Sequence, residues 1–462
     1  MYTAYVCKIK NIRAHPNANK LLLGECFGNT VCVPLDYTEN MLVIYFPTDG
    51  QLSEEFCAQH DLVRRKDENG NPAGGYMDPD KRNVKAIRLR GEKSDGLAMP
   101  IDCVAYTGVD MNLLTEGTMI TILNGHEICR KYIPQTNHRN QSTREGNHTR
   151  KKRAPIAPLF AEHADAEQLA YNLSAFKPGD EIEITLKMHG TSGRTARLPV
   201  LKGYHRTLLD RIFRREGTPI YEDGYVSGIR RVVLENYEGG FYGDNSFREQ
   251  HSKIFEGKLQ KGEAVYYEIV GFTDTGASIM GDGNNKKLGD EFVKQYGPRT
   301  IFSYGCSPDG KKTMCGRDDD GYYEIVSDHP KSDIYVYRMT ITNEDGFVVE
   351  YTPDFMRYRC EQMGVKCVPV FWKGIIEGKR IERDEITPGD WIKNIAEGFY
   401  SGPDPVGKTH TREGVVVRIV NRPKFTAYKH KNFEFKVLEG IIKDTAAAPD
   451  MEEAQELNDG ES

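Results

Sequence analysis

Between Glu181 and Met188 apolar and polar residues alternate, with Ile182, Ile184, Leu186 and Met188 on one side of the pattern and Glu181, Glu183, Thr185 and Lys187 on the other. A period of two predicts a half-buried strand, with Lys187 pointing away from the core. The strand then meets Gly190-Thr191-Ser192-Gly193. That stretch reads as a turn where missing Cβ atoms admit another molecule and N–H groups can face an anion. Further strands are predicted over 226–234, 264–270, 333–342, 414–420 and 425–431. In the second of these Val265, Tyr267 and Ile269 take the apolar face, which leaves Glu268 on the opposite one. Three helices are expected. One follows Asp165, capped with Gln168; one runs from Ser246, paired with Glu249, to about Glu256; one opens at Thr352-Pro353-Asp354 and stops at Gly364. Strands and helices interleave without a regular βαβ rhythm, so the fold class is α+β.

Ahead of this region, residues 1–128 read as short strands over 5–12, 20–27, 30–35, 41–46, 84–89 and 118–123, the pattern of a small barrel. A Gly-, Pro- and Asx-rich stretch from Arg65 to Arg82 reads as a long loop on it. The domain division that follows is 1–130, a polar basic linker over 131–157, a second domain over 158–444, and an acidic tail over 445–462 expected to be disordered. The linker contains Arg150-Lys151-Lys152-Arg153, which suits a phosphate grip, a nuclear import signal, or simple solvation.

Composition narrows the classes. A chain of 462 residues is long enough for two or three cores. Its net charge of −6 with 28% charged residues leaves no global basicity, so any nucleic-acid contact must be local. The 10 cysteines include no Cys-x-x-Cys, which reads as reduced, mostly buried thiols in an intracellular protein, cytoplasmic or nuclear. No signal pattern and no membrane-length apolar run is present, and a monomer is expected.

Four more segments carry candidate chemistry. Glu268 and Glu413 are carboxylates on or at the edge of strands. Lys429 and Lys431 lie two apart on one strand face, about 7 Å from each other, a spacing that suits a polyphosphate. Tyr335 and Tyr337 offer aromatic rings for stacking on a base. In this order the segments resemble nucleotidyltransferase motifs I, III, IIIa, IV and V of the covalent ligase and capping-enzyme superfamily. The string Lys187-x-His189-Gly190-Thr191-Ser192-Gly193-Arg194, the stretch Gly228-Ile229-Arg230-Arg231-Val232-Val233, the strand Tyr335-Val336-Tyr337-Arg338 and Lys429-His430-Lys431-Asn432-Phe433 resemble the RNA ligases, and more narrowly the Deinococcus-type RNA ligase family. Residues 12–21 and 87–97 are similar to two signatures of the tRNA-binding type of OB-fold, which that family carries before its catalytic domain.

The resemblance implies an N-terminal OB-fold β-barrel followed by an ATP-grasp-like nucleotidyltransferase domain of antiparallel sheets with flanking helices. It implies an ATP-dependent RNA ligase that uses Mg²⁺ or Mn²⁺. Such an enzyme seals 5′-phosphate and 3′-hydroxyl ends at nicks in duplex RNA or RNA–DNA hybrid, through a lysyl-adenylate and an adenylylated 5′-phosphate. Lys187 is then the nucleophile, with Lys429 and Lys431 as catalytic cations. His189, Gly190, Arg194, Glu268, Tyr337 and Glu413 bind nucleotide, Tyr335 being the alternative to Tyr337 for stacking. Glu268 and Glu413 hold metal, and Arg230 meets the nucleic-acid strand. A DNA ligase or GTP-using capping enzyme is disfavoured by domain order, since only about thirty, mostly tail-like, residues follow Lys431. A non-catalytic RNA-binding OB protein is disfavoured by the joint presence of Lys187, Glu268, Glu413, Lys429 and Lys431. Two departures stand out. Leu186 occupies a position often acidic in related ligases, and about sixty residues separate motifs III and IIIa, including Arg317-Asp318-Asp319-Asp320-Gly321, a metal-binding run or a hairpin turn.

Overall fold

A computed structural model describes residues 2–66, 68–70, 72–134, 154–163, 166–213, 215, 217–230, 233–234, 246–318 and 321–445. The basic run Arg150–Arg153 and the acidic tail from 446 lie outside the described residues. The chain divides into two compact units that are not contiguous in sequence: 1–135 with 283–299 and 431–449, and 136–282 with 300–430 and 450–462. Part of the expected 158–444 block thus belongs to the first unit.

In the first unit β1 (Ala4–Lys8), β2 (Lys10–Ala14), β3 (Leu22–Cys26), β4 (Asn29–Val33), β5 (Leu42–Phe46), β6 (Ala86–Leu89), β7 (Glu92–Asp95), β8 (Leu97–Pro100) and β9 (Met119–Ile120) alternate with turns. They form a four-stranded sheet in the order β8-β5-β1-β9, a three-stranded sheet β2-β3-β4, and the hairpin β6-β7. No sheet of this unit closes on itself among the described residues, so the expected barrel is not confirmed; the unit's antiparallel sheets accompany a core of Val6, Ile44, Phe46, Leu52, Phe56 and Val104. The stretch expected as a loop over 65–82 contains a small antiparallel pair, Arg65–Lys66 with Pro72–Gly74.

The second unit is built on two sheets. Sheet A takes β10 (Glu167–Gln168), β11 (Glu181–Lys187), β18 (Val370–Ile375), β19 (Gly414–Ile419) and β20 (Thr426–Lys431) in the order β10-β20-β19-β11-β18. Sheet B takes β12 (Thr191–His205), β13 (Thr218–Gly228), β14 (Glu263–Gly271), β15 (Ser332–Thr342) and β16 (Val348–Glu350) in the order β13-β12-β14-β15-β16, and β17 (Lys366–Cys367) adds parallel to β15. Two helices flank sheet B, α1 (Ser246–Lys253) and α2 (Pro353–Met363); α3 (Phe433–Thr445), next in sequence after β20, belongs to the first unit. Helix α2 has the bounds its sequence dictates: Thr352 caps it by accepting from the Phe355 N–H, and Gly364 ends it in the left-handed region.

Three local expectations change. No α-helix follows Asp165. Gln168 instead pairs with Lys429 in a parallel ladder and Leu169 is buried, so sheet pairing overrides the local capping signal and leaves only single 3₁₀ turns. The strand expected over 226–234 lies earlier, at 218–228, where it pairs with β12 along its length. The turn expected at 190–193 is shorter, because β12 already starts at Thr191. Gly193 therefore sits inside a strand, where a Cβ would stand 2.4 Å from the Tyr267 ring.

The alternation in β11 holds, but its polar face is not solvent. Ile182 and Ile184 enter an apolar core with Val415, Val417 and Ile392, while Glu183 on the opposite face is only 3% exposed. Arg357 of α2 binds both oxygens of Glu183, at 3.2 and 2.8 Å. Nearby, Arg338 of sheet B and Arg418 of sheet A share Glu350. Burial alone would lower the Arg338 pKa, yet its hydrogen bonds to Glu350 raise it, so the guanidinium stays charged. On the other face of sheet B, Val265, Tyr267, Ile269, Ile334 and Val336 pack under Phe247, Met356 and Met363. No helix among the described residues is long and apolar enough to cross a membrane, and the cysteines whose side chains are described are all free.

Tyr267 is held by the hydroxyl of Thr195 at 3.0 Å and cannot swing aside, so Gly193→Ala is expected to cost about 1–3 kcal/mol of unfolding free energy in urea titration. Gly203→Ala, where a Cβ meets nothing within 4 Å, is the control expected to leave the midpoint in place. Equal midpoints for both variants would show that the close approach is not a constraint.

Candidate active site

Strand register assembles the site. Antiparallel pairing of β11 with β19 sets Lys187 opposite Gly414, and this brings Glu413, the residue just before β19, beside the lysine. The Lys187 ammonium lies 2.8 Å from Glu413 Oε1, and His189 Nδ1 lies 3.7 Å from Oε2. Glu413 is 1% exposed on its side chain and Lys187 24%, so a buried carboxylate meets a lysine that still reaches solvent.

The connection from β11 to β12 is fixed residue by residue. The His189 N–H donates to the Tyr304 hydroxyl at 2.7 Å, and the Gly190 N–H donates to Glu268 Oε1 at 3.1 Å. A Cβ on Gly190 would stand 2.3 Å from the Ile269 carbonyl oxygen, so glycine here serves the close approach of β14. Of the N–H groups over 190–193 that the sequence suggested for an anion, that of Gly190 meets the chain's own Glu268 carboxylate. From the far side Arg248 of α1, itself 2% exposed, donates to the Thr191 hydroxyl at 2.7 Å.

Behind the connection stands a wall that periodicity could not reveal. Phe302 packs edge-on against the His189 ring with centroids 4.6 Å apart, and Tyr304 packs on His410 at the same separation. Asp404 closes the loop below by accepting from the N–H groups of Val406 and Gly407. Burial pushes the Tyr304 pKa well above its ordinary value, pushes that of Asp404 up and pulls that of His410 down, so each is biased to its neutral form. These residues sit in irregular segments, and their only sequence signal is the Gly- and Pro-rich composition of 402–407.

The remaining candidates fall into two other groups. Arg194 is 2% exposed; its guanidinium donates to the carbonyls of Ile229 at 2.7 Å, Phe160 at 3.3 Å and Ala161, and lies 3.9 Å over the Phe160 ring. Burial lowers its pKa. The same segment reaches Tyr337 and Arg230: the His163 ring lies 5.4 Å from that of Tyr337, and the His163 N–H donates to the Arg230 carbonyl. Arg194, Tyr337 and Arg230 thus all meet the segment 160–163. Tyr337 is the extra residue of a bulge in β15, between Val336 opposite Tyr267 and Arg338 opposite Tyr266. Tyr335 is buried with its ring 5.7 Å from the Lys366 ammonium. In β20, Lys429 pairs in register with Gln168, whereas the Lys431 ammonium binds both oxygens of Glu439 of α3 at 2.9 Å. Of the run 317–321, Arg317, Asp318 and Gly321 lie in a hairpin in which Lys311–Asp318 pairs with Gly321–Asp328, while Asp319 and Asp320 lie outside the described residues.

No family model and no curated protein sequence matches the chain. Solved structures do. Naegleria gruberi RNA ligase with ATP and Mn is 14% identical, covering 94% of this chain and 98% of that one with a TM-score of 0.53. The same ligase with AMP and Mn is 15% identical over 94% and 97%, TM-score 0.52, and with PPi 15% identical over 93% and 96%, TM-score 0.52. The chain therefore has the fold of these RNA ligases along nearly its whole length.

Tyr304→Phe leaves the half-buried His189 N–H without its acceptor and is expected to cost about 1–3 kcal/mol in urea unfolding. A tyrosine whose folded pKa is raised contributes stability that is full below the ordinary value near 10 and is lost as pH rises towards the folded value. Unfolding free energy should therefore fall above about pH 10, and less steeply in Tyr304→Phe. Identical slopes would show that Tyr304 ionises alike in the folded and unfolded chains.

Proposed function

We propose that the chain is an ATP-dependent RNA ligase of the kind its motifs resemble, the Deinococcus-type family, with Lys187 as the adenylylated residue. The observation that carries this reading is the contact of Lys187 with the buried Glu413, beside Gly190 bound to Glu268, in a fold shared with ligases solved with ATP, AMP and Mn. In the first step the neutral amine of Lys187 attacks the α-phosphorus of ATP; an N–P bond forms and the bond to pyrophosphate breaks. The lysine must first lose the proton that makes it an ammonium, and Glu413 at 2.8 Å is placed to accept it. In the second step a 5′-phosphate oxygen attacks the adenylate and the Lys187 nitrogen leaves. In the third a 3′-hydroxyl attacks the activated 5′-phosphorus and AMP leaves, joining the strands. Nicks in duplex RNA or in RNA–DNA hybrid are the proposed substrates, with Lys429 and Lys431 as cations for the phosphates and Arg230 for the strand.

The donor set fits a divalent cation held partly by substrate. No group of three or more His, Cys, Asp or Glu side chains able to cage a metal occurs among the described residues. Glu268 and Glu413 supply carboxylates, and an ion such as Mg²⁺ or Mn²⁺ keeps waters and phosphate oxygens for its other positions. When bound, the ion shields phosphate charge and disfavours a second positive charge on Lys187. Glu268 and Glu413 would hold it, while Tyr304 and Glu268 hold the backbone of His189 and Gly190 so that the nucleophile approaches from one direction.

Incubation with α-labelled ATP and Mn²⁺ should label the denatured wild-type polypeptide, and α-labelled GTP should not. Glu413→Gln should slow labelling by roughly a hundredfold or more, as for loss of a group acting on the reacting atoms. Nicked duplexes should be sealed when the 3′-hydroxyl strand is RNA and poorly when it is DNA. Absence of label sinks the ligase reading, and equal sealing of both strands sinks its RNA specificity.

A further inference from the structure

The residues of the OB-like signature at 87–97 face a helix of the chain itself. The Phe433 ring at the start of α3 lies 5.5 Å from the Arg88 guanidinium and 5.0 Å from the Lys93 ammonium. Glu434 follows, with Oε1 3.4 Å from Arg88 and 3.1 Å from Lys93. One turn on, Lys436 binds the buried Asp95 at 2.6 Å, and at the far end Lys443 binds Asp49 at 2.6 Å. Beneath these pairs Phe433, Val437 and Leu438 pack with Ala86 and Leu288. All of these residues belong to the first unit.

Helix α3 is joined to β20 by Asn432 alone, whose side chain caps it by accepting from the Phe435 N–H at 2.7 Å. Two turns into the helix, Glu439 takes the Lys431 ammonium with both oxygens at 2.9 Å, and the ammonium also lies 5.4 Å from the Phe435 ring. A lysine side chain has four rotatable bonds, and a bidentate carboxylate on a docked helix removes most of that freedom.

We propose that α3 is a positioning element for Lys431: the Arg88, Lys93 and Asp95 side chains fix the helix, and Glu439 on the helix fixes the ammonium. The proposal rests on the reading that Lys431 acts on the nucleotide phosphates. It assigns the 88–95 signature an intramolecular role in place of a nucleic-acid contact, and it makes Glu439 a positioning residue.

The test uses the full chain and single-turnover formation of lysyl-adenylate at saturating ATP. Glu439→Gln should slow the step about tenfold without moving the thermal midpoint, because the amide keeps the shape and loses the charge. Lys93→Glu and Glu434→Lys should each slow it, and the double reversal Lys93→Glu/Glu434→Lys should recover part of the rate, Arg88 still opposing the reversed charge at 434, a rescue that a general loss of stability would not give. Wild-type rates in Glu439→Gln and in both single reversals overturn the proposal, as does a wild-type rate in Lys431→Ala. Hydrogen exchange at the α3 amides reads the docking independently of activity: protection in wild type, lost in each single reversal and regained in the double, is expected. If wild type forms no adduct, the ligase reading fails on its own; wild-type α3 amides exchanging like a free peptide overturn the clamp whatever the activity.

Discussion

The second unit is arranged around one buried carboxylate. Glu413 is removed from water and must be paired, since an uncompensated charge in such a place costs several kcal/mol. Its partner is Lys187, delivered by the register of two central strands of sheet A. A one-residue slip of β11 against β19 would send Lys187 into the core of Ile182 and Ile184 and leave Glu413 alone. Packing of the apolar face thus fixes the geometry of the polar one, and the site inherits its rigidity from sheet A.

The same logic operates away from the lysine. Glu183, Arg357, Arg338, Glu350 and Arg418 make a charged layer joining sheet A, sheet B and α2. A buried network of this kind contributes little net stability over an apolar replacement, yet removing one partner is severe. Its effect is to fix the position of Lys187's sheet relative to the strands that carry Glu268 and Arg194. The connection between β11 and β12 is then held by side chains from three other segments: Tyr304, Glu268 and Arg248.

Much of this was legible in the chain because it is periodic or punctuated. The alternation from Glu181 to Met188 set the face of Lys187, the alternation from Val265 to Ile269 set that of Glu268, and Thr352, Pro353 and Gly364 bounded α2. What pattern could not show was what covers each face. Glu183 reads as a solvent residue until Arg357 arrives from 174 positions away, and the capping pair near Asp165 yields because Gln168 finds a ladder partner at Lys429. Tyr304, Asp404 and His410 lie in irregular segments where no period exists. The residues after Lys431 look tail-like, yet Phe433, Val437 and Leu438 share one helical face that only the first unit reveals as a docking stripe. Arg194 shows the converse: its motif neighbours invite a nucleotide contact, while its guanidinium ties three backbone carbonyls.

The identity of the nucleophile decides whether this site works as proposed. The most direct measurement is peptide mass mapping of the protein after incubation with ATP and Mn²⁺ and denaturation. One modified peptide is expected, heavier by an adenylyl group, with fragmentation placing the group on Lys187. An adenylyl group on any other residue, or none on a protein that still seals RNA, would contradict it.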